Sequence, residues 1–148
     1  SREFVEDFHH TKEEGRLFPV LAELRGDLLR DHVLVLARQH REGHARIAAI
    51  SAAKEAYLAG EQDAREVLAS QLEGYGDLLR RHAHREDNVF FPLARQVLDA
   101  EHNRRIVEAF REEEARFPQD FLRRCVARLR ELRNELRELP QVRQGPRP

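Results

Sequence analysis

The sequence predicts an all-α fold: an up-down antiparallel four-helix bundle with an extra C-terminal helix. Three observations predict it. Apolar residues recur at spacings of three and four along most of the chain, the pattern of amphipathic helices rather than strands. The 7 glycines and 6 prolines are few. A length of 148 residues suits one compact domain with a real core. That domain is placed at 1–139, followed by a disordered tail over 140–148 that holds Pro140, Gly145, Pro146 and Pro148.

Each element follows from its own pattern. Helix one, 2–25, carries a stripe of Val5, His9, Glu13, Leu17, Val20 and Leu24, and Gly26-Asp27 breaks it from helix two. Helix two, 28–59, presents Val33, Leu36, His40, Ile47 and Ile50, with His44 one turn beyond His40. Gly43, between those histidines, has no Cβ to keep a neighbouring helix away. After Gly60, helix three runs over 62–98 with Leu68, Leu72, Tyr75, Leu79, His82, Glu86, Val89 and Leu93 in its seam. A shorter helix follows at 100–115. Phe117-Pro118 forces a break, and a final helix covers 119–139, with Phe121, Leu122, Cys125, Leu129, Leu132 and Leu136 along one side.

Composition excludes several function classes. The 26 basic and 27 acidic residues give a net charge of −1, which leaves no overall field for nucleic acid or an anionic membrane. The Arg-rich final helix interleaves Glu131, Glu135 and Glu138 among its arginines, as a solvated or packing helix does. No stretch approaches the roughly 20 apolar residues of a membrane span, and no signal-peptide segment opens the chain. The single Cys125 forms no intrachain disulfide or CxxC pair and is read as a buried, inert thiol of a cytoplasmic protein. The chain has no methionine and opens inside helix one, so its natural N-terminus is expected upstream of Ser1.

His82 and Glu86 stand where leucine belongs. A buried carboxylate costs on the order of several kcal/mol without a partner, and a metal supplies that partner. His9 and Glu13 repeat the arrangement, and residues four apart aim at one point. The two segments are also related: HHTKEEGRLFP (9–19) laid over HAHREDNVFFP (82–92) matches His9 with His82, Glu13 with Glu86, Phe18 with Phe91 and Pro19 with Pro92. A duplicated unit facing itself across a bundle brings two His/Glu pairs together, as a two-metal site with bridging carboxylates requires. Each proline removes one backbone bond, from Gly15 or Asn88, and predicts a kink just beyond the site.

These segments resemble the hemerythrin-like, or HHE cation-binding, family, whose unit places an isolated His on one helix and His-x-x-x-Glu before Leu/Phe-Phe-Pro on the next, twice. QHREGH (39–44) is similar to the isolated-His helix of the second unit, and 98–117 to the family's C-terminal extension. The resemblance implies metal ligation by His9, Glu13, His40, His82 and Glu86, with His44 added because His40-x-x-x-His44 is similar to a helix of oxygen-carrying hemerythrins. Asp87 fits an alternative carboxylate spacing, but Glu86 is the match to Glu13. His10, His32, His84 and His102 are read as surface or supporting residues. The family's first helix and its histidine have no counterpart before helix one, so His10, water, upstream residues or a second chain is left to complete the pocket.

Imidazole and carboxylate without thiolate suit iron, manganese or zinc alike. Iron rests on the resemblance, which implies an oxo- or hydroxo-bridged di-iron centre that binds or senses O₂, NO or iron. A metal-free interaction scaffold and a di-iron peroxide or NO reductase are the competing readings. A ferritin-like site is disfavoured, because Glu6-x-x-His9 has Leu79 in the corresponding place before His82. With three long helices, the chain is expected either to form a homodimer or to fold 119–139 across its bare stripes.

Overall fold

The computed structural model describes residues 3–24 and 27–138; the expected tail over 140–148 and Gly26 of the expected break lie outside them. All five elements are helices: α1 (3–23), α2 (Asp27–Leu58), α3 (64–97), α4 (Ala100–Glu114) and α5 (Phe121–Glu138). No strand occurs among the described residues, and no helix there is long and apolar enough to cross a membrane.

The neighbours run antiparallel, as short connections dictate. Between α2 and α3, Gln39 meets His82 and Arg46 lies over Gly74. Between α1 and α2, Glu14 meets His40 and Val5 shares a small cavity with Ile47. Against α4, Lys12 meets Glu114, Arg16 meets Glu113 and Glu23 meets Arg105. The short α4 thereby takes the fourth place in the bundle, beside the C-terminal half of α1. There Ile106 joins Leu17, Phe18, Val20, Leu21, Leu29, Leu36, Phe90 and Ala94 in one core. Glu113 is bound by both Arg116 and Arg16, and these guanidinium groups hold its carboxyl below the usual range.

The helix ends follow local chemistry. Gly60 ends α2 in the left-handed region, with Glu61 N–H donating to Ala56 C=O and Gly60 N–H to Tyr57 C=O, the paired bonds of a glycine-capped terminus. Asp99 caps α4 by accepting from His102 N–H at 2.8 Å.

The prolines act differently from a simple kink. In α1 and again in α3 the backbone widens to a π-turn, at Glu13–Leu17 and at Glu86–Phe90. Phe18 N–H donates to Glu13 C=O and Phe91 N–H to Glu86 C=O, each spanning five residues. Pro19 and Pro92 have no N–H, and their rings exclude the carbonyls of Gly15 and Asn88. The extra residue in the turn absorbs both problems while the helix continues. Glu3–His10 is also a π-helix, so the N-terminal half of α1 departs from α-helical phase twice.

Three further expectations change. In α3, Leu78 is buried because α2 covers the face of Tyr75, Leu78 and His82, while Leu72 is exposed and Leu79, at the edge of the small cavity shared with Val5 and His10, is only partly covered. A Cβ on Gly43 would sit 3.8 Å from Leu78 and Tyr75, an ordinary contact, whereas one on Gly74 would collide with the Arg46 guanidinium. At Gly74 the space beside the backbone is taken by a flexible side chain rather than by a neighbouring helix. Finally, α5 does not lie across the bundle. Phe121 is buried against Phe8, Cys125 is half-buried rather than fully so, and every described residue after it is exposed.

Candidate metal centre

Helices α1, α2 and α3 each push imidazoles or carboxylates into the bundle interior. Ligand atoms of His9, Glu13, His82 and Glu86 all lie within 4.8 Å of one another, as do those of His9, His10 and His82. His40, only 1 % exposed, stands beside them with Nε2 at 3.3 Å from Glu13 Oε2. His10 stacks on His40 with ring centroids 3.7 Å apart, and His82 meets His40 edge-on at 4.8 Å.

Five of the six residues named from the sequence thus converge. His44 stands further out: it is exposed, with its ring 5.7 Å from that of His10. His9 forms the open side, with a side chain 38 % exposed. His10 is no surface residue, since it is buried at the centre of the group. The wide winding of Glu3–His10 accounts for this, because adjacent residues diverge less around a π-helix than around an α-helix and His9 and His10 share a face. Of the completions that the sequence left open for the pocket, the structure brings in His10.

The buried polar atoms show what the arrangement lacks. His10 Nδ1, His40 Nε2, His82 Nε2, Glu86 Oε1 and both oxygens of Glu13 have no hydrogen-bond partner. His82 Nε2 approaches Glu86 Oε1 to 3.0 Å, and His40 Nε2 approaches Glu13, but neither contact has hydrogen-bond geometry. Unpaired buried polar atoms are costly, and six converging ones form a donor set that a cation would satisfy. These residues fit a metal.

Two partners the sequence did not reveal orient the buried imidazoles of His82 and His40. His82 Nδ1–H donates to Gln39 Oε1 at 3.1 Å, and His40 Nδ1–H donates to Glu14 Oε1 at 2.6 Å. In the neutral imidazole each bond favours the proton on Nδ1, which leaves the Nε2 lone pair facing the site. Gln39 and Glu14 look like solvated helix residues, and only the pairing of α2 with α1 and α3 gives them this role.

Electrostatics tune the group further. Burial, reinforced by the charge of His40, pushes His10 down to about 3, so its ring is neutral at ordinary pH and able to ligate. Burial also disfavours charge on His40, but Glu13 and Glu14 outweigh it and raise its pKa. For Glu86 burial is outweighed by His82 and then His9, which hold the carboxyl below its usual range.

Replacing Gln39 with Leu is expected to weaken metal binding about 10- to 100-fold, measured by competition with a chromophoric chelator. Gln39→Glu, which keeps an acceptor for His82 Nδ1–H, is expected to retain most of the affinity. Equal loss in both variants would show that the acceptor does not matter.

Comparison with known proteins points to a cation-binding domain. A family model described as the hemerythrin HHE cation binding domain matches residues 1–94. Uncharacterized proteins of Mycobacterium bovis and Mycobacterium tuberculosis are 37 % identical over 115 residues, covering 78 % of this chain and 44 % of theirs. The chain therefore spans less than half the length of these relatives. No solved structure matches it.

Proposed function

We propose, from the premise that the chain belongs to the hemerythrin HHE cation-binding family, that it is a non-haem iron protein whose site holds two cations and binds or senses O₂, NO or iron itself. The observation that carries this reading is the set of unpartnered atoms. Four tetrahedral ligands would satisfy a single zinc ion, yet six buried atoms here lack partners, and two belong to one carboxylate. Glu13, with both oxygens free, is suited to bridge two cations. His9, Glu13, His82 and Glu86 would hold one cation, and His10, which also lies close to His9 and His82, would with the neighbouring His40 supply donors for a second. The imidazole-rich donor set suits iron and equally admits manganese or zinc, so the choice of iron rests on family membership.

Bound iron supplies a redox-active Lewis acid with affinity for small diatomic ligands. The protein residues do the remaining work. Glu14 and Gln39 hold the two buried imidazoles in one tautomer. Phe18, stacked over His40 with centroids 6.0 Å apart, closes the inner end to water. The partly exposed His9 leaves access from outside.

Elemental analysis with an optical spectrum, on protein purified without chelator, tests the proposal. About two iron atoms per chain are expected, together with a visible band that changes on exposure to O₂ or NO. His82→Ala should lose most of this metal while keeping its helix content. Zinc in place of iron after growth in iron-sufficient medium would overturn the assignment, and absence of any metal would favour a helical scaffold.

A further inference from the structure

The C-terminal helix α5 leaves a long apolar edge uncovered: Leu122, Leu129, Leu132 and Leu136 are exposed, Leu129 by 56 % and Leu136 by 67 %. With Cys125 they recur at alternating spacings of three and four, a strict 3.5-residue period. A helix that packs on a globular core carries a broader stripe, while this narrow one is the seam by which two helices supercoil. Its inner side opens on a cleft of about 560 Å³, where Cys125, Leu129 and Leu132 face Phe4 of α1 across a gap.

We propose that α5 is a dimerisation helix, which pairs antiparallel with α5 of a second copy of this chain. Leu129 lies opposite Leu132 of the partner subunit, and Cys125 opposite Leu136 of the partner subunit. The charges beside the seam select both the partner and the direction. Arg128 and Glu135 flank it on one side, Val126 and Arg133 on the other. Antiparallel pairing brings like flanks together, so Arg128 meets Glu135 of the partner subunit, twice by symmetry. Parallel pairing brings opposite flanks together and sets Arg128 against Arg133 of the partner subunit, a repulsive contact. Within one chain Arg128 already reaches Glu131 at 3.2 Å and Glu135 at 3.3 Å, so both charges extend along that flank. The inference is independent of which metal the bundle holds.

The test uses the whole chain. Sedimentation equilibrium is expected to show a reversible dimer. Leu129→Glu should abolish it with unchanged helix content, and Arg128→Glu should weaken it about tenfold. The double change Arg128→Glu with Glu135→Arg should restore it. On mild oxidation the wild type is expected to remain free of crosslinks, since the two Cys125 side chains lie far apart in this register. Leu136→Cys should give a covalent dimer through Cys125. A monomer at every concentration up to several hundred micromolar would overturn the proposal. A dimer that crosslinks through Cys125 alone, or one that Leu136→Cys fails to trap, would overturn the antiparallel register.

Discussion

Removing the bound cation is expected to lower the melting temperature by about 10 °C. A ligand held only by the folded state stabilises it by about 4 kcal/mol at a thousandfold excess over its dissociation constant. For a chain of this size each kcal/mol shifts the midpoint by roughly 2–4 °C. The residues themselves give the reason: without metal, Glu13 keeps two unpartnered oxygens in the interior, and His10, His40 and His82 each keep an unpartnered ring nitrogen. The metal-free site compensates itself only in part, through the pairing of His40 with Glu13 and Glu14 and of His82 with Glu86. Differential scanning calorimetry of one preparation before and after chelation measures the shift. Coincident transitions would mean that these residues hold no cation in the folded protein.

Phe90→Ala is expected to cost about 4 kcal/mol, within the range for removing a fully buried aromatic side chain. Phe90 is 0 % exposed and meets Phe18 edge-to-face at 5.7 Å, while Phe18 in turn stacks on His40. The cavity would open directly beneath the His/Glu cluster. Phe90→Leu, which keeps most of the volume, should cost closer to about 1.5 kcal/mol. Urea denaturation of the metal-free variants separates this packing loss from any effect on ligation. A loss for Phe90→Ala below about 1 kcal/mol would mean that the surrounding core collapses onto the space.

Much of the site was legible because the chain repeats itself. The match of 9–19 with 82–92 placed His9, Glu13, His82 and Glu86 together before any helix was positioned, and the structure brings these four within 4.8 Å. His40 followed from its place on the apolar face of α2. What stayed hidden depends on departures from ideal helix geometry or on tertiary pairing. His10 turns inward because Glu3–His10 is wound as a π-helix, and an α-helical projection places it beside the stripe rather than on it. Phe18 and Leu21 join Leu17 and Val20 in the core because the turn over Glu13–Leu17 also shifts the projection. Gln39 and Glu14 are ordinary polar residues until α3 and α1 bring imidazoles to them. In α3 the seam includes Leu79, which lines the small cavity beside His82, but misses the more deeply buried Leu78, because a leucine pair leaves the pattern one residue ambiguous until α2 is placed.

The two wide turns also bear on how such a chain can change by insertion and deletion. Inside an α-helix, adding or removing one residue rotates everything beyond it by about 100° and exchanges its inner and outer faces. A π-turn instead stores one residue as a local bulge, so the helix on either side keeps nearly its original facing. In each half of the repeat the stored residue lies between the glutamate of the site and the proline after it. Length variation at that point can therefore be absorbed within a continuous helix, without a loop, while His and Glu stay aimed at the centre and Phe18 or Phe90 stays in the core. The same bulge in both halves means that the duplicated unit carries its own tolerance for a change of length, placed at the junction between its His/Glu pair and its packing residues.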